Sequence, residues 1–353
     1  MTDSALNGRT PAQGLQHKCS ENAPMKLASY KDGSRDGQLV VVSRDLSQAH
    51  YASHIANRLQ QVLDDWNFLS PQLQDIFDAL NAGRARHAFP FDPALCMAPL
   101  PRAFQLAHAD AYPSRGALLR QATSGDSADA AMLFFQGAGD ALLGGQDPVR
   151  CATEAFGVDF GASVAAITGD IPQDCPADRA LDGVRLLAVC NAITLRNLLA
   201  SDGTPTVQSQ CATAFSPVAV TPDELGEAWA KGRVNLTLQC SWNGRKVGMG
   251  DAGAEMGTHL GQLLAHLAKT RPVRAGSIVV AGPVSHAGTE KKGQWNWPAG
   301  YHCIAEKRAM EVVQDGQAST EYMRYGDTIR IEMKNAAGQS VFGAIEQEVE
   351  PLA

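Results

Sequence analysis

The stretch FGVDFGASVAAITGDIP, residues 156–172, is the segment on which the fold turns. Glycines punctuate it at 157, 161 and 169, and the short apolar run between the last two reads as a buried β-strand. Around it the chain is rich in strand signals. GQLVVVS (37–43) reads as a strand, and NLTLQCSWNGRKVGM (235–249) as a hairpin whose Asn243-Gly244 supplies the positive φ angles of a tight type I′ turn. DTIRIEMKNAAGQSVFGAIE (327–346) reads as a second hairpin around a polar turn that contains glycine.

Helices are fewer. In YASHIANRLQQVLDDW (51–66) the apolar set Ile55, Leu59, Val62, Leu63 and Trp66 follows helical spacing. The next helix is expected to start with Ser70 as its N-cap and Pro71 at its first position, and to end before Gly83. In GTHLGQLLAHLAKTR, Leu260, Leu263, Leu264 and Leu267 form one apolar stripe, and His259 and His266 on that helix read as partly buried structural histidines. These signals predict an α+β chain. Residues 1–24 are expected to be a disordered extension, 25–95 a small α+β domain, and 96–353 a larger strand-rich domain.

With 353 residues the chain is long enough to bury a sizeable core. A formal charge of −7, with no basic run carrying interleaved aromatics, argues against nucleic acid or anionic lipid as a partner. Apolar runs such as VRLLAVC (184–190) are far too short to span a bilayer, and the polar first 24 residues lack the apolar stretch of a secretory signal. Eight scattered cysteines without a CxxC pair fit reduced thiols, so a cytoplasmic protein is expected. GAGDALLGG (137–145) has its third glycine at the wrong spacing for a dinucleotide loop and reads as a turn. There is no GxSxG elbow, HExxH helix or Walker loop.

A set of stretches in fixed order resembles the fumarylacetoacetate hydrolase family, in its bacterial branch with a short N-terminal domain. They are MKLASYKDGSRDGQLVVVSRDLS, PLPRAFQ, FFQGAGDALLG, TLRNL, ATAFSPVAVTPDELGEAW, DAGAEMGTHLGQLLAHLAKTR, CIAEKR and YGDTIRIEMKNAAGQSVFGAIEQ, and they cover nearly everything from residue 25 to 347. The resemblance implies a mixed β-sandwich roll behind a small N-terminal domain, usually as a homodimer. It also implies cleavage or decarboxylation of β-dicarbonyl acids. In such chemistry a carboxylate-bound magnesium or calcium ion chelates the substrate and stabilises an enolate, with a histidine and a lysine beside it.

This chain departs from that pattern at each chemical position. The Glu-x-Glu pair of the family falls on Gly161 and Ser163, the third carboxylate on Ala192, and the fourth on His108. Arg115 stands where the family has its histidine, and Gln210 where it has its lysine. The expectation is a site with neither metal nor cofactor, acting on an enolisable small molecule by tautomerisation, cyclisation or condensation, decarboxylation or C–C cleavage. In that reading Arg115 binds a carboxylate or enolate, and His108 is the proton shuttle. Tyr112, Ser163, Gln210 and Cys211 supply hydrogen bonds or, for Cys211, a nucleophile. The alternative is a catalytically inactive relative that binds a ligand or partner. Ordinary metal-dependent hydrolysis would need ligands from Asp110, Asp159, Asp251 or Glu306, and a softer metal would need His108 with Cys211 or His302.

Overall fold

A computed structural model of the protein describes residues 23–123 and 134–352, so the expected N-terminal extension lies almost wholly outside the described residues. The chain opens with strands β1 (Lys26–Tyr30), β2 (Gln38–Val42) and β3 (Gln48–Tyr51), helices α1 (Leu59–Asp64) and α2 (Trp66–Asn81), and the short strand β4 (Phe89–Pro90). It continues through β5 (Gln105–Ala109), α3 (Pro113–Thr123), β6 (Phe134–Gln136), β7 (Val149–Cys151), β8 (Val158–Asp159) and β9 (Ala162–Thr168). After the single turn α4 (Ala177–Ala180) come β10 (Val184–Leu195), β11 (Ala212–Phe215), β12 (Ala219–Val220), β13 (Trp229–Ala230), β14 (Arg233–Val234), β15 (Thr237–Trp242) and β16 (Arg245–Asp251). The last part holds α5 (Leu260–Ala268), β17 (Ser277–Val280), β18 (Thr289–Lys291), β19 (Gln294–Asn296), α6 (Ile304–Asp315), β20 (Thr328–Lys334) and β21 (Ile345–Pro351). The architecture is α+β, built on mixed sheets.

The quoted stretch is β8 and β9 at the centre of the larger sheet, whose order is β4-β3-β2-β1-β12-β10-β9-β17-β5-β6. Strand β10 is its spine, pairing antiparallel with β9, β11, β12 and β8. Alternation then sorts side chains between two cores. Ala162, Val164 and Ala166 of β9 pack toward the second sheet, of order β16-β15-β20-β21-β7, with Leu238, Ile331 and Ile345. Ala165 and Ile167 pack on the other face with Leu59, Trp66, Leu73 and Phe77 of the N-terminal helices. Among the described residues no helix is long and apolar enough to cross a membrane.

Both predicted hairpins form, and Asn243 and Gly244 have φ of 49° and 72°. The expected start of the second helix is corrected: it begins at Trp66, so Pro71 lies inside it and Ser70 is not its cap. The reason is packing, since Trp66 is buried beside Leu73, Ile76, Phe77 and Leu80, and Asp65 accepts the amides of Phe68 and Leu69. The first helix is shorter than its apolar spacing suggests. Gln61 Oε1 accepts from the amides of Asn57 and Arg58, which fixes the start at Leu59 and leaves Ile55 in a preceding turn.

Candidate active site

A cavity of about 180 Å³ opens where β5, β10 and β17 end and β11 begins. Its wall includes His108, Asp110, Arg115, Thr194, Arg196 and Gln210, with Gly282 and Pro283 closing one side. These residues are far apart in sequence. The order β9-β17-β5 and the pairing of β10 with β11 bring them together.

His108 is fixed by β5, opposite Val280 of β17, and is buried. Its Nε2 lies 3.3 Å from Thr213 Oγ1, and its ring stacks on Phe135 at 5.2 Å. Burial pushes its pKa down to about 4, so the imidazole is neutral across the neutral range. The titration near neutrality expected of a shuttle is therefore displaced into acid. Gly137, in the glycine-rich stretch read as a turn, lies so close that a Cβ there would come within 2.6 Å of Nε2.

Arg115 projects from the first turn of α3 and donates from Nη1 to Asp110 Oδ2 at 2.7 Å. Burial alone would lower its pKa, but the Asp110 carboxylate reverses this and raises it, so Arg115 stays charged. Two atoms of this pair are left over: Arg115 Nε and Asp110 Oδ1 are buried without a hydrogen-bond partner. Arg196, just beyond β10, forms a second pair, donating from Nε to Asp159 Oδ2 at 2.8 Å. Asp159 is fully buried and also accepts the amides of Ile304 and Ala305 at the start of α6. Gln210 donates from Nε2 to Thr194 Oγ1 at 3.3 Å. The cavity thus carries two guanidiniums, each compensated by one carboxylate, and a neutral histidine.

Behind Arg115 lies Glu306, fully buried, which accepts from Ser285 Oγ at 2.5 Å and from the amide of His302 at 3.1 Å. Burial raises its pKa to about 7 against these hydrogen bonds and the nearby Arg115.

Of the residues expected at the site, His108, Arg115 and Gln210 share the cavity, and the other three do not line it. Tyr112 is buried in the core, its hydroxyl donating to Ala252 O at 2.7 Å. Ser163 is fully buried within β9, with Oγ 3.4 Å from Gly161 O. Cys211 is exposed and lines a separate groove with Leu143, Asp147 and Arg150, because successive residues at the entry to β11 point to opposite sides. The reading from sequence missed Arg196, Thr194 and Thr213, and considered Asp110 only as a metal ligand. Arg196 sits in the TLRNL stretch, whose arginine was the available signal.

The donor set does not fit a hard divalent cation. Gly161 and Ala192 bring no side-chain donor, and the backbone has closed over the first of these positions: a Cβ on Gly161 would meet Ala192 O at 2.7 Å. The carboxylates elsewhere are engaged separately, Asp159 as described and Asp251 with the amides of Gly253 and Ala254. Among the described residues no group of three or more His, Cys, Asp or Glu is placed to hold a metal ion. Of the residues considered for a softer metal, Cys211 lines a different groove from His108, and His302 has its Nε2 against Leu238 O.

Residues 25–102 match the family model described as fumarylacetoacetase N-terminal domain 2, and residues 107–350 the one described as fumarylacetoacetate (FAA) hydrolase C-terminal. No curated protein matches the sequence. Similar solved structures include a fumarylacetoacetate hydrolase from psychrophilic Exiguobacterium antarcticum (16% identity, covering 93% of this chain and 100% of that one, TM-score 0.64). A maleylpyruvate hydrolase from Sphingobium sp. SYK-6 is 15% identical over 93% of this chain and 100% of its own, with TM-score 0.61. A 2-hydroxyhepta-2,4-diene-1,7-dioate isomerase from Mycobacterium marinum is 15% identical over 93% and 98%, with TM-score 0.57. At these identities the likeness is one of fold.

Proposed function

This chain belongs to the fumarylacetoacetate hydrolase family, and we propose that it is an enzyme that moves a proton α to the carbonyl of a small keto acid without a divalent cation. The observation that carries the reading is the pair of guanidiniums, Arg115 and Arg196, lining a cavity whose first family carboxylate position is closed by backbone. Solved relatives of this fold bear hydrolase and isomerase names. Proton removal beside a carbonyl is a step that both kinds of reaction can use.

In this scheme Arg115 and Arg196 hold the substrate carboxylate and the developing enolate oxygen, because a planar guanidinium matches a carboxylate and keeps its charge. Gln210 and neutral His108 complete the hydrogen bonding. Asp110 Oδ1, buried and unpartnered, takes the proton from the α-carbon, and the C–H electron pair moves into the carbonyl as the enolate. Returning that proton to the same carbon regenerates the keto acid with exchange, and delivering it to the enolate oxygen or a vinylogous carbon completes a tautomerisation; either way Asp110 is freed as the carboxylate.

The test uses protein stripped with EDTA and a panel of keto acids and keto diacids in deuterium oxide, with loss of the α-proton followed by nuclear magnetic resonance. Exchange should persist without metal. Arg115→Gln should slow it by about 10²–10³-fold, the usual effect of deleting one oxyanion donor, and Asp110→Asn should abolish it. Exchange that requires added magnesium would overturn the reading. Ligand binding without exchange across the panel would favour the alternative, a non-catalytic binding protein.

A further inference from the structure

A second groove, of about 590 Å³, sits on the N-terminal part of the molecule and shares no lining residue with the candidate active site. It is bounded by the segment after β3 and by the chain leaving α2. Its charged lining is net positive even with the histidines neutral: Arg84 and Arg86 stand against a single acidic residue, Asp75, beside His50, His54 and His87. The protein as a whole carries a charge of −7, so this concentration runs against its composition. Arg84 and Arg86 are exposed and have no ion-pair partner among the described residues.

The loop that presents them has a left-handed residue on either side. Gly83 and His87 both lie in the left-handed region, at φ of 66° and 64°, and bracket Arg84 and Arg86 between two reversals. For His87 that conformation is uncommon and costs stability. Basic residues after a helix C-terminus also complement its dipole. That effect accounts for Arg84 but not for His50 and His54, which come from a different segment. Those two imidazoles stand edge to face at 6.2 Å and 82°, and the Nδ1 of His50 is engaged by Tyr51 O at 2.7 Å. Ile55, Ile76, Ala79 and Ala85 supply an apolar wall beside them.

We propose that this groove binds a nucleoside diphosphate. Two guanidiniums set two residues apart suit the oxygens of a diphosphate, which Arg can engage by paired hydrogen bonds. The imidazole faces and the aliphatic wall suit a planar base.

Isothermal titration calorimetry of the full chain with ADP as the probe tests this. Saturable binding is expected, weakened several-fold between low salt and physiological ionic strength by screening. The double variant Arg84→Gln/Arg86→Gln should weaken binding by at least about tenfold, with the circular dichroism spectrum unchanged because both side chains are exposed. Adenosine and inorganic pyrophosphate should each bind at least about tenfold more weakly than ADP. Absence of ADP binding, or equal affinity in the double variant, would overturn the proposal. Pyrophosphate binding as tightly as ADP would overturn its nucleoside part. Should the double variant fold poorly, His54→Ala supplies a second exposed change, and unchanged ADP affinity there would count against the site.

Discussion

Gly161 sits where the backbone leaves no room for a side chain. Its amide donates to Asn191 Oδ1 at 2.9 Å and its carbonyl accepts from Ala192 N at 2.8 Å, so strand and neighbour have drawn together in space that a side chain would need. Gly161→Ala should therefore destabilise the protein by about 1–3 kcal/mol, the usual cost of overpacking, measured by urea unfolding. Gly161→Glu should cost more and bring no magnesium affinity. A stable Gly161→Glu variant that binds magnesium in calorimetry would show that the position is still open. Glu306 supplies a prediction in pH. Its folded-state pKa of about 7 stands above the usual value of 4.5, so its contribution to stability is full below about 4.5 and is lost as pH rises through 7. Glu306→Gln should remove most of that fall, on the order of 3 kcal/mol, seen as a flatter profile of unfolding free energy against pH. His108 works in the opposite sense: with its pKa lowered to about 4, its contribution is present above about 6.5 and is lost as pH falls through 4.

Elements meet at the site through their ends. The start of α6 is held by Asp159, which takes the Ile304 and Ala305 amides at 2.6 and 3.1 Å while pairing with Arg196. One buried carboxylate thus caps a helix and aims a guanidinium into the cavity wall. Asp159→Ala leaves both orphaned, and breaking a buried pair from one side typically costs 3–5 kcal/mol. A drop of that order is expected in denaturant unfolding, and a change under about 1 kcal/mol would mean that water replaces the carboxylate. Helix α2 carries a different lesson. Ser70-Pro71 is a good local start signal, yet Trp66 and Leu69 are worth more as packing against Leu73 and Phe77 than the cap is worth as a boundary.

At the scale of the molecule, the N-terminal strands are not a separate sheet. Strand β1 pairs with β12, and the line continues through β10 to β6. Buried Lys26 ties the same junction, donating to Val341 O at 2.6 Å and lying 3.9 Å from Glu224, which also accepts from Arg44. A sheet shared across both parts predicts one cooperative unfolding transition in calorimetry. Two resolved transitions would show that the N-terminal part unfolds on its own.

The sequence by itself determined the family and the strand-rich architecture. Those rest on local patterns, such as the glycine-bounded apolar run of β9 and the Asn243-Gly244 turn, and on the order of the motifs along the chain. It could not say that Asp110 compensates Arg115, that Arg196 reaches the same cavity from the far end of β10, or that Tyr112, Ser163 and Cys211 lie elsewhere. Only the tertiary structure decided these points. Strand pairing across long sequence separations sets which side chains converge, and desolvation in three dimensions moves His108 into acid and Glu306 toward neutrality.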